Sequence, residues 1–345
     1  MFISSRRQLP PAQLPPAPPL LVLLVLTGSV LAAKDPNHTL IHEWPMLMAH
    51  DAATTYLPSG LLHPINTWAK TQPDGGLPGL LDCGARAFDW RPTLLANGTL
   101  AMHHAFKVID MSLDVALNDM LAWAASHNAS AENLAVLGVT DCTCQDKQAN
   151  PCTCHEEINT FLKSKNIPYL KAPDLQKGMT VDEVVKLGAR SGGGASVVAV
   201  GDWVANYEPR VTCSGYLSGA NRNKNINVDQ LLFPSLYTCY VNSSTKAFPV
   251  NRMFQYIDNV TRRGPPSNRS LSTVQALWEE DAASVAIGTL HLSSLLEDES
   301  RSQLNNILAQ RIKSGQWNVS QVGIIEINNI CDGGLELLKA FREAS

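Results

Sequence analysis

Histidine, carboxylate and arginine side chains follow three successive apolar segments within the first third of the chain. His50 and Asp51 end the segment PMLMAHDA, Asp89 and Arg91 end GARAFDWRP, and His104 ends GTLAMHHA. Two histidines can divide general base and general acid work near neutral pH, because the unperturbed imidazole pKa is about 6.5. Arginine adds a permanent charge and a planar fork for phosphate oxygens. This set of residue types predicts cleavage of a phosphodiester.

The combination carries this interpretation, because each residue alone has a common structural explanation. A lone His-Asp pair is often a surface or capping feature, and an Asp-x-Arg at a strand end is often a local ion pair. Here these residue types arrive at three successive strand ends within 55 residues. Asp89 and Arg91 are two positions apart, so they project to one face of their strand.

The elements that must position these residues alternate between strands and helices from residue 43 onward. Strands are predicted at 44–49, 85–91, 100–103, 134–139, 196–200, 285–290 and 322–328. Helical apolar repeats begin at Leu113, Leu304 and Leu335, and Thr180 with Glu183 forms a capping box before a helix at 181–188. Continuously apolar strands separated by helices predict an α/β fold with a parallel sheet covered by helices.

An open doubly wound sheet and a closed barrel both satisfy this pattern. No GxGxxG follows the first strand and the sequence contains no P-loop, which disfavours a nucleotide-binding sheet. We therefore expect a TIM-type (β/α) barrel, distorted or incomplete, in a single domain over residues 34–345. In such barrels the active site lies at the carboxyl ends of the strands.

The composition allows a large core and disfavours nucleic acid as a partner. Apolar residues make up 45% of the 345 residues, charged residues 17%, and the net charge is −4. Such a chain is long enough for one large α/β domain. It has no basic field that would attract nucleic acid.

The N-terminus predicts secretion. Arg6 and Arg7 precede an apolar run at 20–33 that ends in small residues and is shorter than the ~20 residues of a bilayer span. We interpret residues 1–33 as a cleaved signal peptide, with an uncleaved anchor as the alternative. Seven N-x-S/T sequons support an extracellular glycoprotein; they begin at Asn37, Asn97, Asn128, Asn242, Asn259, Asn268 and Asn318.

Eight cysteines in a secreted chain favour disulfides. The clustered pairs C-x-C at 142–144 and 152–154 lack the usual spacer of zinc ligands, so local disulfides are favoured over a zinc site. Cys213 and Cys239 could close another loop. We do not expect Cys83 and Cys331 to pair, because in a barrel they would lie ~20 Å apart at opposite ends of their strands, and bridged Cα atoms lie within ~7 Å.

The motifs MAHDA, GARAFDWR and MHH resemble the X region of phosphatidylinositol-specific phospholipases C. They are most similar to the small, metal-independent bacterial type, in which GTHDS, GARxFDxR and HHG mark the first three strands. The resemblance is specific over residues 44–106 and architectural beyond them.

The resemblance implies a role for each residue of the candidate site. His50 would be the general base that deprotonates the attacking hydroxyl, and His104 the general acid on the leaving alcohol. Arg91 would stabilise the phosphate, Asp51 would orient Arg91, and Asp89 would support the same network. Bacterial members first form a cyclic inositol phosphate, and the resemblance implies the same for this chain. Because Arg91 stands where metal-dependent relatives place calcium, we expect no metal and no other cofactor.

Several positions depart from the family pattern and bear on the substrate. The first histidine of the family is backed by a carboxylate from a late strand, for which Glu326 or Asn328 could serve here; we favour Glu326. The ends of the fourth and fifth strands carry Asp141 and Asp202 where basic residues hold the inositol phosphate. Asp141, Asp202, Trp203 and Glu326 are the candidate substrate-binding residues, and the acidic ends put myo-inositol specificity in doubt.

Two other functions remain open. One is a metal-dependent glycerophosphodiester or sphingomyelin-type phosphodiesterase on the same barrel. The other is a secreted barrel that binds lipid or glycan without turnover, although a binder has no need of both histidines. The leading hypothesis is a secreted phosphodiesterase whose partners are a phospholipid or other phosphodiester and, transiently, a membrane surface. The sequence leaves the headgroup and the oligomeric state open.

Overall fold

The computed structural model describes residues 34–345 apart from 61–62, 105–106, 146–151, 172–173, 176, 202–237, 241–249, 264–270, 272, 281–284, 286–288 and 290–291. Residues Ala32–Ser345 form one compact unit. The predicted signal peptide at 1–33 lies outside the described residues, so its cleavage stays a prediction.

A seven-stranded parallel sheet organises the fold. In spatial order its strands are β11 (Thr273–Gln275), β13 (Ile324–Ile327), β1 (Met46–Ala49), β2 (Ala85–Trp90), β6 (Ala135–Val139), β9 (Val197–Gly201) and β8 (Tyr169–Leu170). The α/β architecture with a parallel sheet is therefore confirmed. Within the described ranges, no ladder joins the two edge strands β8 and β11 into a closed barrel.

A smaller sheet of four strands follows directly from β2. It consists of β3 (Pro92–Leu94), β4 (Leu100–His104), β5 (Lys107–Ser112) and β7 (Thr143–Cys144), in the order β5-β4-β3-β7. Strands β3 and β4 pair antiparallel, and the amide of His103 donates to the carbonyl of Arg91 at 3.0 Å. The expectation that the segment ending in His104 is a third strand of the parallel sheet is wrong. It is the second strand of the β3–β4 hairpin and runs back towards the carboxyl end of β2.

Helices connect the strands and cover the sheet. They are α1 (Pro64–Ala69), α2 (Gly76–Asp82), α3 (Leu113–Ala125), α4 (Cys154–Ser164), α5 (Val181–Leu187), α6 (Val250–Arg263), α7 (Leu295–Ser302), α8 (Leu304–Lys313) and α9 (Gly334–Glu343). The predicted capping box is present, because Thr180 accepts from the amide of Glu183 and the Glu183 side chain accepts from the amide of Thr180. Two further short strands, β10 (Thr238–Tyr240) and β12 (Trp278–Glu280), pair with each other.

One predicted strand is wrong where it can be compared. The segment 285–290 was assigned to a strand on its short apolar run, but its described residues Val285 and Thr289 are helical, and the Thr289 hydroxyl donates to the Val285 carbonyl. A short apolar run is compatible with either element, because periodicity needs more residues to separate a buried helix from a buried strand.

The sheet buries a different cluster on each face. Leu47, Phe88 and Leu137 pack with the helices in the larger cluster. Met46 and Met48 pack on the opposite face in the smaller cluster. Because side chains alternate along a strand, the residues that continue the Met46, Met48 series at the carboxyl ends project towards this second face.

Three disulfides join the described cysteines. Cys142–Cys154 and Cys144–Cys152 crosslink the clustered pairs, which confirms local disulfides over zinc. The pair Cys213–Cys239 lies outside the residues whose side chains are described.

The remaining disulfide contradicts the sequence prediction. Cys83 and Cys331 are bonded, with their Cα atoms 4.8 Å apart. The strand-rise estimate failed because β13 ends at Ile327 and the next residues turn back. Asn329 has a left-handed φ of 44°, and the Ile330 amide donates to the Gln72 side chain. This turn brings Cys331 beside the end of α2, where Cys83 follows.

Four sequons lie where a glycan could be attached. Asn37, Asn97, Asn128 and Asn318 are exposed, as N-glycosylation requires. The side chains of Asn242, Asn259 and Asn268 lie outside the described residues. Separately, the described part of the chain contains no helix with the length and apolar character needed to cross a bilayer.

Candidate active site

His50 is held by the carboxyl ends of two neighbouring strands. Its amide donates to the carbonyl of Ile327 at 3.1 Å, which extends the β1–β13 ladder by one residue. Its own carbonyl accepts from the Thr71 hydroxyl at 2.8 Å and from the Gln72 amide at 3.0 Å. The residue is 2% exposed. Three partners therefore fix the backbone of His50. The amide of the next residue, Asp51, is held by a fourth, Asp89.

Asp51 turns away from the strand and contacts the four other site residues. It has a left-handed φ of 44°, and its amide donates to Asp89 Oδ2 at 3.1 Å. Its Oδ2 lies 3.3 Å from His50 Nε2 and 3.2 Å from His104 Nε2. Its Oδ1 lies 2.8 Å from Arg91 Nε. One carboxylate thus touches both imidazoles and the guanidinium.

Arg91 bridges two buried carboxylates and faces an imidazole. Its Nε donates to Asp89 Oδ2 at 2.9 Å, and its Nη2 lies 2.7 Å from the same oxygen. Nη2 also lies 3.2 Å from His50 Nε2. Burial alone would raise the pKa of Asp89, but the Arg91 charge, His50, and hydrogen bonds from Arg91 and Thr140 outweigh it. They hold the pKa of Asp89 well below its usual range, so this carboxylate is ionised near neutral pH.

The two histidines of β4 have different environments. His104 is the more open, with 18% of its side chain exposed, and its Nε2 faces Asp51. His103 is buried, and its Nε2 lies 2.9 Å from the carbonyl oxygen of Asp141. Asp141 itself is exposed at the end of β6 with a left-handed φ of 43°. The hairpin therefore places His104 in the site. The contact of His103 with Asp141 holds the hairpin against the residues that follow β6.

Asn328, not Glu326, contacts the first histidine. The prediction that Glu326 backs His50 is wrong, because His50 Nδ1 lies 2.9 Å from Asn328 Oδ1. The register of β1 on β13 explains this: Met48 is level with Glu326 and Ala49 with Ile327, so His50 is level with Asn328. Burial lowers the pKa of His50, with Asp51 opposing and Arg91 reinforcing that shift. The imidazole is therefore neutral near pH 7 and can accept a proton.

Glu326 lies deeper in the sheet and is protonated at neutral pH. It is 4% exposed, and its Oε2 accepts from the Gln275 amide at 2.6 Å. Burial, reinforced by the charges of Asp89 and Asp51, raises the pKa of Glu326 to about 8. Its predicted role in substrate binding stays a prediction. Of the other residues predicted for this role, Asp202 and Trp203 lie outside the described residues.

Three of the site residues could offer ligand atoms to a metal ion. One atom from each of His50, Asp51 and Asp89 lies within 4.8 Å of the others. The Arg91 guanidinium already contacts both carboxylates, so a cation here would lie next to a permanent positive charge. A neutral imidazole and two carboxylates suit a divalent ion, but Arg91 does not. The expectation of a metal-free site stays a prediction.

The sequence did not reveal three residues that hold the site in place and that are distant from it along the chain. Thr140 donates to Asp89 Oδ1 at 2.6 Å, and Gln72 joins the ends of β1 and β13 through the carbonyls of His50 and Ile327. Glu299 of α7 accepts from the Asn328 amide. No local motif marks these residues, because each acts through a contact with a segment distant in sequence.

The fold matches known structures although the sequence does not. No family model and no curated protein matches the sequence. A structure of phosphatidylinositol-specific phospholipase C from Staphylococcus aureus matches with a TM-score of 0.57 at 14% identity, covering 89% of this chain and 94% of that chain. The enzyme of the same name from Listeria monocytogenes matches with a TM-score of 0.51 at 13% identity, covering 89% and 96%. This chain has their fold.

The resemblance first seen in the sequence motifs is thus confirmed at the level of the fold. Another structure of the Staphylococcus aureus phospholipase, of a different variant, matches with a TM-score of 0.55. The match covers 89% of this chain and 95% of that chain. The match spans the compact unit and not just the segment 44–106 that carries the motifs. At 13–15% identity these likenesses establish the fold, and the chemistry must be argued from the residues themselves.

Proposed function

We propose that the chain is a phosphodiesterase that cleaves a phosphoinositide-like phosphodiester by general base and general acid catalysis. The observation that carries this proposal is the convergence of two imidazoles on one carboxylate oxygen, Asp51 Oδ2, at 3.3 Å and 3.2 Å. Since both Nε2 atoms lie close to that oxygen, the distance between them cannot exceed the sum of those two lengths. A separation up to that sum leaves room for a phosphate group with one ring on each side.

His50 Nε2 is the base in this mechanism. It takes the proton from a substrate hydroxyl, whose oxygen forms the new bond to phosphorus. The electron pair of the breaking P–O bond goes to the leaving alcohol, which receives a proton from His104 Nε2. The products are a cyclic phosphodiester and an alcohol, and water can open the cyclic product by the reverse proton movements. Burial keeps His50 neutral and ready to accept a proton.

Arg91 stabilises the negative charge that builds up on the phosphate oxygens. Its Nη2 lies 3.2 Å from His50 Nε2, where the attacked phosphate must approach. Asp51 and Asp89 fix the guanidinium, so its orientation costs little when substrate binds. A charged group already in position can replace a metal ion in this role.

An assay of the full secreted chain tests the proposal. Phosphatidylinositol, sphingomyelin and a glycerophosphodiester are each offered with and without EDTA. Turnover of one of them should survive EDTA and fall by ~10²–10⁴-fold in His50→Ala and in His104→Ala. His38→Ala is the matched control, since that imidazole is 85% exposed. Activity lost in EDTA and restored by calcium would favour the metal-dependent alternative, and binding without turnover would favour the non-catalytic one.

We also infer that the chain is a secreted glycoprotein whose first 33 residues are removed. Three disulfides and four exposed sequons support this. Expression in cells that attach N-glycans, followed by N-terminal sequencing and mass measurement before and after glycan removal, tests it. Retention of Met1 on the exported protein would overturn the proposed cleavage.

A further inference from the structure

The imidazole of His50 is backed by an amide that a carboxylate holds in turn. Asn328 Oδ1 lies 2.9 Å from His50 Nδ1. The Nδ2 of the same amide donates to Glu299 Oε1 at 2.8 Å and to the Trp278 carbonyl at 2.9 Å. Asn328, Glu299 and Trp278 are all buried.

The partners of Asn328 leave its amide one orientation. Both acceptors, a carboxylate oxygen and a carbonyl oxygen, lie on the Nδ2 side. Turning the amide over would place Oδ1 against two oxygens and lose two hydrogen bonds in a buried site. Oδ1 must therefore face His50, and because it can accept but not donate, the proton must be on Nδ1. The lone pair is then on Nε2, towards Asp51 and Arg91.

Glu299 is itself fixed within the fold. It lies in α7, and its Oε1 also accepts from the Trp278 amide at 3.0 Å. The Trp278 indole donates to the hydroxyl of Ser302 in the same helix at 2.8 Å. The helix and the Trp278 segment are thus joined at two points, and Asn328 is held between them.

We propose that Glu299 is a positioning residue that acts through Asn328 to keep His50 as the Nδ1–H tautomer, with Nε2 available as the base. This inference rests on the proposed function of His50. In a direct histidine–carboxylate pair, changing the carboxylate to an amide permits the wrong tautomer and is costly. Here the amide itself faces the ring, and the buried carboxylate one step further away removes the ambiguity.

Nitrogen-15 NMR of the imidazole groups in the full chain tests the relay without any substrate. His50→Gln assigns the signals of His50. In the wild type at neutral pH, the His50 spectrum should show a protonated Nδ1 and an unprotonated Nε2. A wild-type spectrum with the proton on Nε2 would overturn the proposal, whatever the variants do.

Two substitutions of Glu299 sharpen the test. Glu299→Gln retains an oxygen that can accept from Asn328, so the tautomer should persist. Glu299→Leu removes one of the two acceptors that hold the Asn328 amide in its orientation and leaves only the Trp278 carbonyl, so a mixture of tautomers should appear. If the chain turns over a phosphodiester, kcat/KM should fall by ~10–100-fold in Glu299→Leu and be largely kept in Glu299→Gln.

Asp298→Leu is the matched control, because Asp298 is a buried carboxylate of the same helix that bonds Ser293 and Arg301. It should lower stability but leave the His50 tautomer unchanged. The same tautomer mixture in Asp298→Leu would mean a general structural effect and would overturn the relay. A relay seen by NMR in a chain without turnover would instead leave the relay intact and refute the proposed function.

Discussion

Asp51 Oδ2 lies 3.2 Å from Nε2 of His104, although Asp51 follows β1 of the parallel sheet and His104 ends β4 of the smaller sheet. The same oxygen lies 3.3 Å from Nε2 of His50. The carboxylate therefore ties the hairpin that carries His104 to the strand that carries His50. The same contacts bring the two imidazoles to one oxygen, as the proposed mechanism requires.

Replacing Asp51 should impair turnover more than binding. Asp51→Asn keeps the shape but removes the charge that faces both imidazoles and Arg91 Nε, while Asp89 still holds the guanidinium. We expect kcat to fall by ~10–100-fold, with a smaller change in KM. Steady-state kinetics checks this. The control is Asp182→Asn, which breaks an ion pair with Lys186 on α5, away from the site. An unchanged kcat would show that Asp51 does not organise the site.

The acidic limb of the pH–rate profile should lie below pH ~6.5. Burial lowers the pKa of His50, so the base stays unprotonated to a lower pH than an exposed imidazole. As the pH falls through this lowered value, His50 gains a proton and kcat/KM drops about tenfold per pH unit. A profile of kcat/KM from pH 4 to 9 measures the limb. An acidic limb above the ordinary histidine value would contradict burial as the dominant influence.

Glu326→Gln should stabilise the protein, and the gain should depend on pH. The pKa of Glu326 is about 8 in the fold, above its ordinary value of 4.5. Between these values the unfolded chain releases the proton while the folded chain keeps it, so wild-type stability is present below pH 4.5 and falls as the pH rises towards 8. Glutamine has no proton to lose and can still accept from Gln275.

Urea denaturation at pH 4.5 and pH 8 measures this effect. The variant should gain on the order of a few kcal/mol over the wild type at pH 8 and little at pH 4.5. The exposed Glu297→Gln is the control. An equal effect of Glu326→Gln at both pH values would contradict a raised pKa.

The long-range disulfide should contribute more stability than a local one. Cys83 and Cys331 are separated by 248 residues and Cys144 and Cys152 by 8, and closing a longer loop removes more entropy from the unfolded chain. Replacing both Cys83 and Cys331 by Ser should cost ~5 kcal/mol, against ~2–3 kcal/mol for the local pair. Denaturation of the two double variants compares them. A greater loss from the local pair would contradict this order.

The register of β1 on β13 determines which residue contacts His50. From the sequence, Glu326 and Asn328 both qualify, because they are two positions apart and project to the same face. The pairing of β1 with β13 decides between them by placing Asn328 level with His50. Register depends on contacts between segments nearly 280 residues apart in sequence, so neither segment alone reveals it.

The amino-acid sequence was enough to predict the alternation of strands and helices, the parallel sheet, and the strand ends that carry His50, Asp89 and Arg91. These follow from side-chain periodicity and local propensity, which act over a few residues. Tertiary structure decided that His104 arrives on an antiparallel hairpin and that Cys83 bonds Cys331. Both depend on where the chain turns back on itself. A turn brings together residues that are far apart in sequence, so their distance in space cannot be inferred from their sequence positions.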